Sequence, residues 1–117
     1  MTYVDGFILA VPAARLKDYK RIAAVAGEVW MEHGALSYVE CVGDEVPYGE
    51  ITSFPRAVLA TDDEVVIFAW ITYRSRAERD AINRKVIEDP RLSGDEWTTI
   101  FDGKRMIFGG FQAFLEK

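Results

Sequence analysis

Residues 65–73 read Val65-Val66-Ile67-Phe68-Ala69-Trp70-Ile71-Thr72-Tyr73, and the fold turns on this stretch. It is rich in β-branched and aromatic side chains and follows the polar turn Thr61-Asp62-Asp63-Glu64, which predicts a strand. Successive side chains of a strand point to opposite faces. One face therefore carries Val65, Ile67, Ala69, Ile71 and Tyr73, and the other Val66, Phe68, Trp70 and Thr72. A strand with one wet face alternates apolar and polar residues; this one is apolar on both. Its sheet needs a cover on each side.

Working outward, residues 3–11 and 106–115 are two-faced in the same way. Pro12 ends the first strand and suits the first turn of a helix. Over residues 13–33, Leu16, Tyr19, Ile22, Ala23, Ala26, Val29 and Trp30 recur in steps of three and four, the pattern of an amphipathic helix. His33-Gly34 reads as its C-terminal stop. Residues 36–42 predict a second strand, residues 43–52 a loop, and residues 54–59 a short extended piece that Pro55 confines to a sheet edge or a strand start. Ser75 with Glu78 three residues on has capping-box spacing. The helix it opens runs to about Glu88, with Ala77, Ala81, Ile82 and Val86 as its inner stripe, and Asp89-Pro90 breaks it. Residues 92–101 are ambiguous, with room for a short helix carrying Trp97 and Ile100. Asp102-Gly103 is a turn signal, and residues 104–115 predict a last strand.

The order strand–helix–strand, twice, predicts an α+β fold: a ferredoxin-like βαββαβ sandwich, one domain over residues 1–117, with both helices on one face of an antiparallel sheet. The helices cover one face only. Fully burying one large apolar side chain is worth roughly 1.5–3 kcal/mol, so the second apolar face calls for a partner. A second copy is the economical one: two sheets face to face close a dimeric α+β barrel across a two-fold axis. The alternative is a monomer in which residues 43–52 and 92–101 fold over the open face.

The chain has 117 residues, is half hydrophobic and 28% charged, and carries a net charge of −5, a globular composition. That charge disfavours nucleic-acid or anionic-membrane binding. RNA-recognition modules share this strand–helix order, and Ala69-Trp70-Ile71-Thr72-Tyr73 echoes the aromatic half of their signature. The basic-glycine half is absent, so no nucleic-acid partner is expected. No apolar run reaches the length of a membrane span and no targeting segment is visible, so a cytoplasmic address and no membrane partner are expected. The single cysteine, Cys41, excludes an internal disulfide framework, fits a reducing compartment, and reads as a small buried hydrophobe.

Four stretches carry a family resemblance: TYVDGFILAVP (residues 2–12), EHGALSYVECVGD (32–44), SFPRAV (53–58) and FDGKRMIFGGF (101–111). Together they resemble the YbaA-like family of small bacterial proteins, a family of unknown function. The resemblance implies the dimeric α+β barrel superfamily, which holds cofactor-free monooxygenases, isomerases, decarboxylases and proteins with no known chemistry. It transfers no catalytic residue. Some members carry an RNA-related label, which the charge of this chain does not support.

Candidate site residues come from the residues themselves. His33, the one histidine, is either a helix-end residue suited to the helix dipole or an acid–base at a pocket mouth, oriented by Glu40 or Asp5. Asp5 lies in an apolar strand and needs a partner: Arg105 or Arg56 in a structural ion pair, or a small substrate. Gly6, Gly109 and Gly110 lie within strands and mark either bulges or tight packing, or a hollow beside Phe7, Trp70 and Phe111. Trp30 and Trp70 read as core or interface aromatics. Phe7, Trp30, Arg56, Trp70 and Arg105 are the candidate ligand-binding set, and His33, Asp5 and Glu40 the candidate catalytic one. One His and one Cys build no zinc site, and no phosphate loop or dinucleotide fingerprint is present, so neither metal nor cofactor is expected. The leading expectation is a homodimer that binds a small, largely apolar molecule between sheet and helices. The rivals are cofactor-free enzyme chemistry, with Arg56 or Arg105 stabilising an anion, and a non-enzymatic assembly role.

Overall fold

The decisive stretch, extended by Glu64, forms a ten-residue inner strand of a four-stranded antiparallel sheet. The computed structural model describes all residues, Met1–Lys117. In chain order it contains β1 (Tyr3–Pro12), a 3-10 turn (Ala13–Arg15), α1 (Leu16–Glu32), β2 (Ser37–Val42), α2 (Phe54–Ala57) and β3 (Glu64–Tyr73). There follow α3 (Arg76–Glu88), a 3-10 turn (Pro90–Leu92), α4 (Trp97–Ile100), a 3-10 turn (Gly103–Arg105) and β4 (Ile107–Gln112). The strand order is β2-β3-β1-β4. β1 and β3 pair along their full length, from Tyr3 opposite Tyr73 to Pro12 opposite Glu64. β4 flanks β1 with Phe108 opposite Phe7, and β2 flanks β3 with Glu40 opposite Ala69.

This register sorts the side chains. Tyr3, Asp5, Phe7, Leu9 and Val11 share a face with Ile67, Ala69, Ile71 and Tyr73, and with Tyr38 and Glu40 of β2. α1 and α3 pack on that face. Two clusters form there: Leu9, Val11, Ile67 and Ala69 against Tyr19, Ile22, Ala23 and Ile100, and Tyr3, Ile71 and Tyr73 against Val29, Ile82 and Val86. α1 ends as its sequence predicts, with His33 as C-cap and Gly34 in the left-handed region at φ +115. α3 begins with the Ser75 side chain accepting from the Glu78 backbone N–H.

The opposite face is covered at one end only. Val58 is fully buried there against Ala10 and Val66. Elsewhere Phe68, Ile107 and Phe111 stand 43%, 43% and 64% exposed. Neither segment named for the monomer supplies this cover: it comes from Phe54 and Val58, just after residues 43–52, with Phe54 edge-on to Phe68 at 5.7 Å. The segment before β4 lies on the helix side, where Ile100 is core and Phe101 meets Tyr19 edge-on.

Four expectations need correction. Residues 54–59 are not extended: Phe54–Ala57 is a single helical turn, because Ser53 caps it and Pro55 falls in the first turn, where its missing N–H costs no hydrogen bond. The last strand is shorter than 104–115; Gly103–Arg105 is a 3-10 turn, and pairing ends at Gln112. The inner face of α3 is formed by Arg79, Ile82, Asn83 and Val86, while Ala77 is exposed. Cys41 is an exposed thiol on edge strand β2.

Candidate functional site

Between the sheet and the helices lies a cavity of about 500 Å³. Its floor is the helix-facing row of the sheet: Phe7 and Leu9 from β1, Ala69 and Ile71 from β3, Tyr38 and Glu40 from β2. Tyr19, Ala26 and Trp30 of α1 and Val86 of α3 form one wall. Leu92, Trp97, Phe101 and Met106 form the other. Two features of the sequence make room. Ala26 and Ala69 are small where helix and sheet face each other, and the chain between α3 and β4 crosses the gap as short turns. The volume falls within the roughly 300–1,000 Å³ of small-molecule sites, and the composition is of that kind, mostly apolar with few polar groups. Of 16 lining residues 14 are hydrophobic; the others are Gly103 and Glu40.

Glu40 gives the cavity its chemistry. Its Oε1 accepts a hydrogen bond from the Tyr19 hydroxyl, and its Oε2 accepts one from the Tyr38 hydroxyl at 2.6 Å. Burial, and then the charge of Glu40, push both phenols above their ordinary range, so they remain protonated donors. Gly27 of α1 makes this arrangement fit: a Cβ there would lie 3.1 Å from Tyr38 Cδ1. The carboxylate has no arginine, lysine or histidine within ion-pair distance. It also borders a shallower surface hollow beside α1, which Lys20 and Glu28 line.

Asp5 lies at the other side of Trp30, in a smaller recess shared with Arg79, Asn83 and Gly110. Its partner is neither Arg105 nor Arg56. Arg79 Nη1 donates to Asp5 Oδ1 at 2.6 Å and the Tyr73 hydroxyl to Oδ2 at 3.0 Å. Register explains the correction: Arg79 and Asn83 are on the inner face of α3, and Asn83 Oδ1 accepts from the Trp30 indole N–H at 3.2 Å. Gly110 is opposite Asp5, and a Cβ on it would lie 3.0 Å from Arg79 Nη1 and 2.9 Å from Tyr3 Cε2. The glycine therefore admits the ion pair, as tight packing, and Gly6 and Gly109 have no such neighbour.

The remaining candidates are dispersed. His33 Nε2 lies 3.1 Å from Asp89 Oδ2, not near Glu40 or Asp5. The Arg91 side chain and its backbone N–H hold the Asp89 carboxyl well below the usual range. Arg105 forms a two-pronged pair with Glu64, at 2.8 and 2.7 Å, and donates to the Leu59 carbonyl. Arg56 lies over the Tyr48 ring and donates to the carbonyls of Tyr48 and Gly49. Trp70 is on the open sheet face, edge-on to Phe68. The structure thus brings Phe7, Trp30 and Glu40 together in the cavity and leaves His33, Asp5, Arg56, Trp70 and Arg105 outside it. Sequence reading missed Tyr19 and Tyr38 as functional groups because each also fits an apolar position. The signal was a lone carboxylate, Glu40, on the helix-facing row of a strand. No cluster of His, Cys, Asp or Glu is placed to hold a metal ion. No helix is long and apolar enough to cross a membrane.

Comparison with known proteins supplies a family and no activity. The profile of "Protein of unknown function (DUF1428)" matches residues 2–103. The chain is 46% identical over 117 residues to "Uncharacterized protein YbaA" of Escherichia coli K12, covering all of both chains. Proteins of the same name from Escherichia coli O157:H7 and Shigella flexneri match at the same identity and coverage.

Proposed function

The chain belongs to the DUF1428 family, whose description states no function, and we propose one from the site: it binds a small, largely apolar molecule in the cavity between sheet and helices. One observation carries this reading. A cavity of about 500 Å³ with 14 hydrophobic lining residues out of 16 stands where a core of this size would normally be filled. A neutral fluorescent probe, N-phenyl-1-naphthylamine, tests it. Binding should quench Trp30 or Trp97 and raise probe emission. Ala69→Phe, which puts a ring into the space, should weaken binding at least about tenfold while leaving the circular dichroism intact. Equal binding by the variant would place the site elsewhere.

The assembly belongs to the same proposal. The strand order β2-β3-β1-β4, with two strand–helix–strand halves in chain order, supports a ferredoxin-like sandwich of one domain. The exposed Phe68, Ile107 and Phe111 support a homodimer through that face, closing an α+β barrel. Four strands about 4.8 Å apart, two of ten residues and two of six, give a face of at most roughly 20 by 30 Å, most of it left open beside Val58 for a second copy. The lone exposed thiol of Cys41 supports a reducing, cytoplasmic setting.

A further inference from the structure

Half-buried Glu40 differs from the shielded carboxylates. Asp5, Glu64 and Asp89 are all largely shielded, with side chains 9%, 7% and 9% exposed, and each faces an arginine: Arg79, Arg105 and Arg91. Glu40 lines an apolar cavity and faces none. It is held by two neutral hydroxyls, which orient it without cancelling its charge. A carboxylate has about four lone-pair sites, and the phenols use two. Its negative charge is the only formal charge on the cavity wall. A site built for an acid would show the reverse, a basic or backbone N–H donor with no carboxylate.

The wall around Glu40 is aromatic: Phe7, Tyr19, Trp30, Tyr38, Trp97 and Phe101. Trp30 and Tyr38 are tilted together at 5.9 Å, Tyr19 meets Phe101 edge-on at 5.7 Å, and Trp97 meets Phe101 edge-on at 6.1 Å. Ring faces attract cations, most strongly when water is excluded. A half-buried carboxylate among such rings selects for positive charge on an otherwise apolar body. Lys20, on the outer hollow, forms no ion pair with it.

We propose that the ligand of this cavity is an apolar amine bound as its ammonium ion, with N–H donors on Glu40 and the charge enclosed by the surrounding rings. This rests on the reading that the cavity binds a small molecule. Calorimetry on the full chain with three matched probes separates the two: 2-(1-naphthyl)ethylamine, 2-(1-naphthyl)ethanol and 3-(1-naphthyl)propionate. The amine should bind at least about tenfold tighter than the alcohol, and the acid most weakly. Glu40→Gln should abolish the amine's advantage and leave alcohol binding within about twofold, since only the charge is removed. If Glu40→Gln does not fold, the order of the three probes on the unaltered chain decides alone, with amine tightest and acid weakest expected. An alcohol that binds as tightly as the amine overturns the ammonium proposal and leaves the cavity reading standing. If none of the three probes binds, and N-phenyl-1-naphthylamine does not bind either, both readings fail together.

Discussion

At the scale of single residues, two ion pairs tie the paired strands β1 and β3 to their neighbours at opposite ends: Asp5 of β1 to Arg79 of α3, and Glu64 of β3 to Arg105 of the turn before β4. Asp5 and Arg79 are 74 residues apart in sequence and 2.6 Å apart in space. Arg79→Met would leave the Asp5 carboxylate with the Tyr73 hydroxyl alone. Leaving one partner of a buried pair uncompensated costs about 3 kcal/mol, so thermal unfolding should drop by roughly 10 °C or more. Adding Asp5→Asn to that variant should recover part of the loss, a coupling that a double-mutant cycle reads directly. At the other end, hydrogen bonds from Arg105 lower the Glu64 pKa from 4.5 to about 2. A carboxyl depressed in the folded state binds protons more readily when unfolded. Its contribution is therefore complete above about pH 4.5 and is lost as pH falls toward 2. Arg105→Met should flatten the acid limb of the stability curve in that window; an unchanged limb would assign the acid sensitivity to other groups. Neither pair was legible in sequence. Asp5 announced the need for a partner, but choosing Arg79 required knowing which face of α3 meets the sheet.

At the scale of elements, what could be read depended on whether the signal was local. The two-faced run of β3 and the His33-Gly34 stop of α1 need no tertiary knowledge, and both are realised. So is the Ser75 cap of α3, and Ser75→Ala should cost about 1 kcal/mol in urea denaturation, because one helix N–H loses its acceptor. An effect near zero would mean that packing of Ile82 and Val86 holds the helix start unaided. The SFPRAV segment shows where local reading divides. Proline is compatible with a strand edge and with the first turn of a helix, and the Ser53 hydroxyl decides for the helix. The cavity lay beyond local signals altogether. Tyr19 and Tyr38 fit the apolar pattern of their elements, and only the pairing of β2 with β3 brings Glu40 opposite Ala69 and beneath α1.

At the scale of the whole molecule, the dimensions are those of one sheet and one helix layer. The chain measures 38 × 36 × 21 Å, and its radius of gyration of 14.8 Å exceeds the roughly 13 Å typical of this length. A flat molecule with a partly exposed apolar outer face is the shape the proposed homodimer would thicken, and it repeats at whole-molecule scale what residues 65–73 say locally. Phe111→Glu, on the exposed part of that face, should convert the proposed dimer to monomer while leaving the helix-side core and its circular dichroism unchanged. The most direct test of the central claim is native mass spectrometry of the protein gently purified from its own source and measured again after denaturation. The predicted result is twice the 13.2 kDa chain with an adduct of small-molecule mass that denaturation releases. A bare 13.2 kDa chain would contradict it, leaving both the uncovered sheet face and the cavity without the occupants proposed for them.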